Sequence, residues 1–208
     1  MMIGTHRLPA DVTVPDDPSG VVIFAHGSGS SRVSPRNRMV AAALNRAGFA
    51  TVLFDLLTED EAQNRANVFD VPILASRMLE AIEFARHEPQ LKGLPVGLFG
   101  ASTGAAAALQ AAATDNTGIN AIVSRGGRPD LALDVLHKIT APTLLIVGGL
   151  DEPVIAMNQI ALDRLHCIKK LEIIAGATHL FEEPGTLEQV FELAAAWFTA
   201  HLTNRKAP

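Results

Sequence analysis

One cysteine, Cys167, is all the sulfhydryl chemistry the chain has, so no disulfide can close within it, which fits a reducing compartment. Its place at the end of a helical pattern, in "DRLHCIKKLEI", suits a buried or half-buried structural thiol. No apolar run approaches the length of a membrane span. The opening "MMIGTHRLPADVTVP" lacks the charged start and apolar stretch of a secretion signal, so the expected location is the cytoplasm, with no membrane partner. Basic residues form no block and the formal net charge is -5, which gives no support to a nucleic-acid partner. The histidines and carboxylates show no H-E-x-x-H or clustered ligand spacing, so neither a metal nor an organic cofactor is expected. Low-complexity linkers and internal repeats are missing too.

What the chain does have is apolar substance. Hydrophobic residues make up 48% of its 208 residues and charged residues 19%, enough for one sizeable core and no sign of disorder. One domain over residues 1–208 is expected, with a core at about 18–200 and a polar tail at 203–208. Short runs rich in Val, Ile, Leu and Phe fall at 21–26, 51–56, 95–101, 121–127, 142–149 and 170–177, and read as buried parallel strands. Helix-period segments lie between and after them, at about 35–47, 70–87, 103–113, 130–138, 154–166 and 186–201. Ser34 and Pro35 suit the start of the first helix and Gly48 its end. The N-terminal stretch is expected to add one or two antiparallel edge strands. The repeated strand–helix order predicts an α/β fold: a doubly wound, mostly parallel sheet with helices on both faces. Only a few residues, centred on "RPD", link the 121–127 run to its helix, which leaves no room there for an inserted lid.

Ligands in such a sheet meet the loops at the carboxyl ends of strands. Ser102 sits at one such end, flanked by Gly100 and Gly104 in "GASTG". This matches the G-x-S-x-G elbow, in which a serine rides a strained strand-to-helix turn packed too closely for larger neighbours. A helix-capping serine in a tight turn is the plainer reading of the segment. A serine hydroxyl needs a base, and the base an orienting acid. Asp151 follows the 142–149 strand and His179 the 170–177 strand, giving the chain order Ser, Asp, His. Glu152 is the alternative acid, and Asp151 alternatively caps the helix near Pro153. Among the other histidines, only His26 also ends a strand, and it comes too early for this order, so a structural role in its loop is expected.

That loop, "HGSGSSR" at 26–32, has the composition of an oxyanion-binding turn. Thr103 is expected to supply one amide and Gly27 or Ser28 the other, Ser28 being preferred. A phosphate P-loop would need the lysine of G-x-x-x-x-G-K, which is missing here. Gly27, Arg32, Arg36 and Arg125 fall near loop ends and are candidate substrate-binding residues. Paired guanidinium hydrogen bonds would suit a small anionic acyl substrate. Against this, Arg36 and Arg38 can face solvent on a helix and Arg125 can pair with Asp130. Asp55 can hydrogen-bond the 26–32 loop, and the acidic "TEDE" that follows reads as a solvated loop.

Taken together, "FAHGSGSSRVSPRN", "GLFGASTGAAAAL", "VSRGGRPDL", "LLIVGGLDEPV" and "GATHLFEEPGTLE" resemble the dienelactone-hydrolase-like branch of the α/β-hydrolase superfamily, over about residues 18–200. More closely, they resemble small bacterial hydrolase-like proteins, some fused to phosphoribosyltransferase domains. The resemblance implies an eight-stranded sheet, a capless core and a Ser102–Asp151–His179 triad. It does not imply dienelactone as substrate, because the enzymes that name the family use a cysteine nucleophile where this chain has Ser102. The expectation is a serine hydrolase of small carboxylic esters, thioesters or related acyl compounds. A binding or regulatory module on the same fold, or an acyltransferase, is the alternative.

Overall fold

The computed structural model describes residues 1–114 and 118–202; the tail expected at 203–208 lies outside them. Eight strands form one sheet: β1 (Met2–Ile3), β2 (Leu8–Thr13), β3 (Gly20–Ala25), β4 (Phe49–Phe54), β5 (Val96–Ala101), β6 (Ile119–Arg125), β7 (Thr143–Gly148) and β8 (Lys169–Ile174). Their spatial order is β1-β2-β4-β3-β5-β6-β7-β8. The first two strands pair antiparallel at one edge, and every pairing from β4 to β8 is parallel. Every residue of β3, β4, β5 and β7 is buried, which is why these segments lack polar alternation.

Six α-helices join the strands: α1 (Pro35–Arg46), α2 (Glu59–Gln63), α3 (Val71–His87), α4 (Thr103–Thr114), α5 (Glu152–Arg164) and α6 (Thr186–His201). Two apolar clusters fill the space on the two faces of the sheet. One holds Val40 and Leu44 of α1 with Val190, Ala194 and Phe198 of α6; the other holds Leu74 and Met78 of α3, the alanines of α4 and Ala161 of α5. Helix α4 is covered almost all round, with Ala106, Ala107, Ala108, Leu109 and Ala111 fully buried. Alanine keeps helix propensity high while letting neighbours approach closely on every side. Ser34 caps α1 by accepting from the Asn37 amide at 3.4 Å, with Pro35 in the first turn.

Two expectations are corrected. No α-helix forms at 130–138; two short 3₁₀ turns, Pro129–Ala132 and Leu136–Lys138, bury Pro129, Ala132 and Leu136 in the span between β6 and β7. The apolar spacing was right, but the short connection is wound with i→i+3 bonds such as Val135 N–H to Ala132 O. The acidic stretch after Asp55 is likewise not a loop. Thr58 and Glu61 form a reciprocal capping box that starts α2, and Glu61 receives Arg77 Nη2 at 2.8 Å, a guanidinium only 8% exposed. Half of Cys167 is covered, and its thiol, pushed up in pKa by burial, lies 3.7 Å from Thr143 Oγ1.

Candidate active site

Ser102 joins β5 to α4 with φ at +51°, left-handed backbone that a β-carbon makes costly. Its neighbours explain why the chain accepts this. A β-carbon on Gly100 would stand 2.4 Å from Ala105 Cα, and one on Gly104 would stand 2.3 Å from Ala25 O and 2.4 Å from His26 O. Both glycines are therefore required by packing, as the elbow reading expects. The turn is pinned by three backbone bonds: Ser102 N–H to Arg125 O at 3.2 Å, and Ala105 and Arg128 N–H to Ser102 O, each at 3.0 Å.

Asp151 and His179 leave the ends of β7 and β8. The two loops close over Gly148, where a β-carbon would meet Ala177 O at 2.5 Å. His179 Nδ1 donates to Asp151 Oδ2 at 2.6 Å, a short charge-assisted contact with the carboxylate 14% exposed. Asp151 stands at the N-cap of α5 but makes no capping bond there, so the capping alternative is not realised. With Nδ1 holding the proton, Nε2 is left as an acceptor. Ser102 and His179 line one cavity of about 210 Å³. Among the described residues the Ser102 hydroxyl has no hydrogen-bond partner, and such catalytic links commonly tighten only with substrate in place.

The 26–32 loop crosses above this cavity. A β-carbon on Gly27 would stand 3.0 Å from Ser102 Cβ, so the loop passes directly over Ser102. His26 holds the loop from beneath: Nδ1 donates to Gly27 O at 3.0 Å and Nε2 accepts the Leu56 amide at 3.1 Å. Burial drives its pKa down, in keeping with a neutral ring and the expected structural role. Among the described residues, no backbone carbonyl or side chain engages the amides of Gly27, Ser28 or Thr103. They remain available as donors. The Thr103 hydroxyl is buried and unpartnered.

The arginines separate. Arg36 and Arg125 line the cavity of Ser102 and His179; Arg32 does not. Arg32 is taken by Asp55, through Nη1 at 2.6 Å and its own amide at 2.7 Å, which ties the loop to β4. The pairing considered between Arg125 and Asp130 is not made, because Arg128 holds Asp130 through two bonds of 2.8 Å. Arg125 is only 8% exposed and stacks its guanidinium 5.9 Å from the Phe181 ring centroid. One nitrogen reaches Asn37 Oδ1 at 3.5 Å, while Nε and Nη1 have no partner. Burial, with Arg36 nearby, brings its pKa down to about 10, which still leaves it charged at neutral pH. Arg36 pairs with the exposed Glu182 at 3.0 Å. Asn37 and Leu180 also line the cavity; the sequence signalled neither, although both adjoin residues it did single out.

A glycine-flanked serine turn after β5, an acid–histidine pair after β7 and β8, and a glycine-rich loop after β3 match the α/β-hydrolase class of architecture. The chain belongs to the dienelactone hydrolase family, whose family model matches residues 8–201. A dienelactone hydrolase from Anabaena variabilis is 53% identical, with a TM-score of 0.93 over 96% of this chain and 94% of that one. Est1E from Butyrivibrio proteoclasticus shares the fold at a TM-score of 0.83 and 18% identity, over 96% of this chain and 97% of its own. A Mycobacterium tuberculosis protein named "Putative phosphoribosyl transferase" is 59% identical over 202 residues, 97% of this chain. The chain spans 46% of that relative's length, so the match covers about half of it.

Proposed function

We propose that the protein is a serine hydrolase that cleaves small carboxylic esters, thioesters or related acyl compounds through Ser102, His179 and Asp151. The observation that carries this reading is the 2.6 Å Asp151–His179 bond beside a serine strained at φ +51° in the same cavity. His179 Nε2 takes the hydroxyl proton as Ser102 Oγ attacks the acyl carbon, and the Ser28 and Thr103 amides hold the resulting oxyanion. Collapse breaks the bond to the leaving group, which receives the proton from His179. Water, deprotonated by the same imidazole, then cleaves the acyl-enzyme and frees Ser102 and the acid. Asp151 keeps the imidazole in the tautomer this exchange requires.

Gly27 lets the loop lie against the nucleophile, and Arg125 with Arg36 favours substrates that carry an anionic group. A buried guanidinium with two unpaired N–H faces has a strong electrostatic demand for such a group. A fluorophosphonate probe tests the assignment: wild type should label at Ser102 and Ser102→Ala should not. An unlabelled wild type would favour a binding module, and product analysis with added alcohols separates hydrolysis from acyl transfer.

A further inference from the structure

A second chamber, of about 340 Å³, lies on the other side of the 26–32 loop. It shares Gly27, Ser28 and Ser30 with the nucleophile cavity and includes Thr103, so the two spaces meet at the residues proposed to hold the oxyanion. Its apolar wall is Leu56, Leu57, Ala62, Val68 and Leu74, from the end of β4 to α3, with Arg32, Asp55, Thr58 and Glu59 among the polar residues that line the rest. Several polar groups around it already have partners, and Ser28, Ser30 and Glu59 stand exposed where water reaches them; the Thr103 hydroxyl is the buried exception. Asp55 binds Arg32, both His26 nitrogens are taken, and Thr58 pairs with Glu61. An apolar group can therefore enter without stranding them. The volume falls at the lower end of the ~300–1,000 Å³ typical of small-molecule pockets.

We propose that this chamber receives the acyl chain of the substrate, so the preferred ester joins a medium-length apolar acid to a small polar or anionic alcohol. This rests on the serine-hydrolase reading. The direction follows from proton delivery: the leaving oxygen must lie beside His179, and of these two spaces His179 lines the one that also holds Arg36 and Arg125. With the carbonyl oxygen turned to the Ser28 and Thr103 amides, the alcohol takes the arginine side. The acyl carbons run the opposite way, past Gly27 and under α2.

The test uses p-nitrophenyl esters from acetyl to octanoyl, which vary the acid with one leaving group. Wild-type kcat/KM should rise about three- to fourfold per methylene until the chamber is full. Val68→Phe should lower the hexanoyl-to-acetyl ratio at least about tenfold, as expected for displacing roughly two methylenes, and Val68→Ala should move the optimum to a longer acid. A chain-length profile that is flat, or that neither Val68 variant shifts, overturns the chamber assignment. Hydrolysis that persists in Ser102→Ala overturns the hydrolase reading instead, so the two failures are distinguishable.

Discussion

The carboxylate of Asp151 stands at the mouth of α5 and ignores it, turning 2.6 Å toward Nδ1 of His179. A helix-start aspartate normally gains about 0.5–2 kcal/mol by capping its own amides. Here that gain is forgone for an interaction across two loops, as the proposed triad requires of its acid. Asp151→Asn should lower kcat about 10³- to 10⁴-fold, because an amide presents a donor where the imidazole needs an acceptor. Glu152→Gln should leave the rate near wild type. Steady-state kinetics on the two variants check both statements, and a reversed ranking would move the acid to residue 152.

Gly104→Ala should destabilise the fold by about 3 kcal/mol or more, since the added methyl would overlap two carbonyl oxygens that cannot retreat without distorting β3. Urea unfolding measures this. Gly176→Ala provides the contrast: nothing lies within 4 Å of its β-carbon position, and the cost there comes from its φ of +74° alone.

Replacing Arg125 with Met should cut kcat/KM for anionic esters at least about 30-fold relative to neutral ones, the effect of deleting one partner of a buried charge pair. Stability should hold or rise, because an unpaired buried guanidinium is exchanged for an apolar side chain of similar reach. Equal losses on both ester classes would remove substrate-charge recognition from this residue.

Stability should fall on acidification through His26. Its folded-state pKa lies below 6.5, so its contribution is present above that value and is lost as pH drops through the folded pKa, where the unfolded chain binds the proton more readily. Protonation also removes the acceptor for the Leu56 amide. Melting temperatures between pH 7.5 and 5 should decline more steeply for wild type than for His26→Gln. Identical slopes would assign the acid sensitivity elsewhere.

The buried strands and long helices were legible because each carries its own pattern: continuous apolar runs for β3 to β7, and capped amphipathic or alanine-rich segments for α1, α3, α4 and α6. The placement of Ser102, Asp151 and His179 at strand ends was legible from the same apolar runs. What the sequence hid depended on partners far away in the chain. Nothing in "VSRGG" says that Arg125 is buried with only the Asn37 amide oxygen as a hydrogen-bond partner among the described residues, since that follows from Phe181 and Asn37 closing around it. That Asp55 bonds the 26–32 loop was legible, but not that it takes the Arg32 guanidinium away from the cavity of Ser102. The "TEDE" segment did carry a local signal, the T-x-x-E spacing of its capping box, which its run of charge masked; only the tie to Arg77 lay out of reach.

That ordering has an evolutionary side. Helix α2 is five residues long, buries none of its own side chains, and is moored to α3 by the Glu61–Arg77 pair. Insertions or exchanges in so shallow a segment leave the sheet and the Asp151–His179 pair untouched. On the hydrolase proposal, descendants of this chain can thus diversify in diet while inheriting the same chemistry.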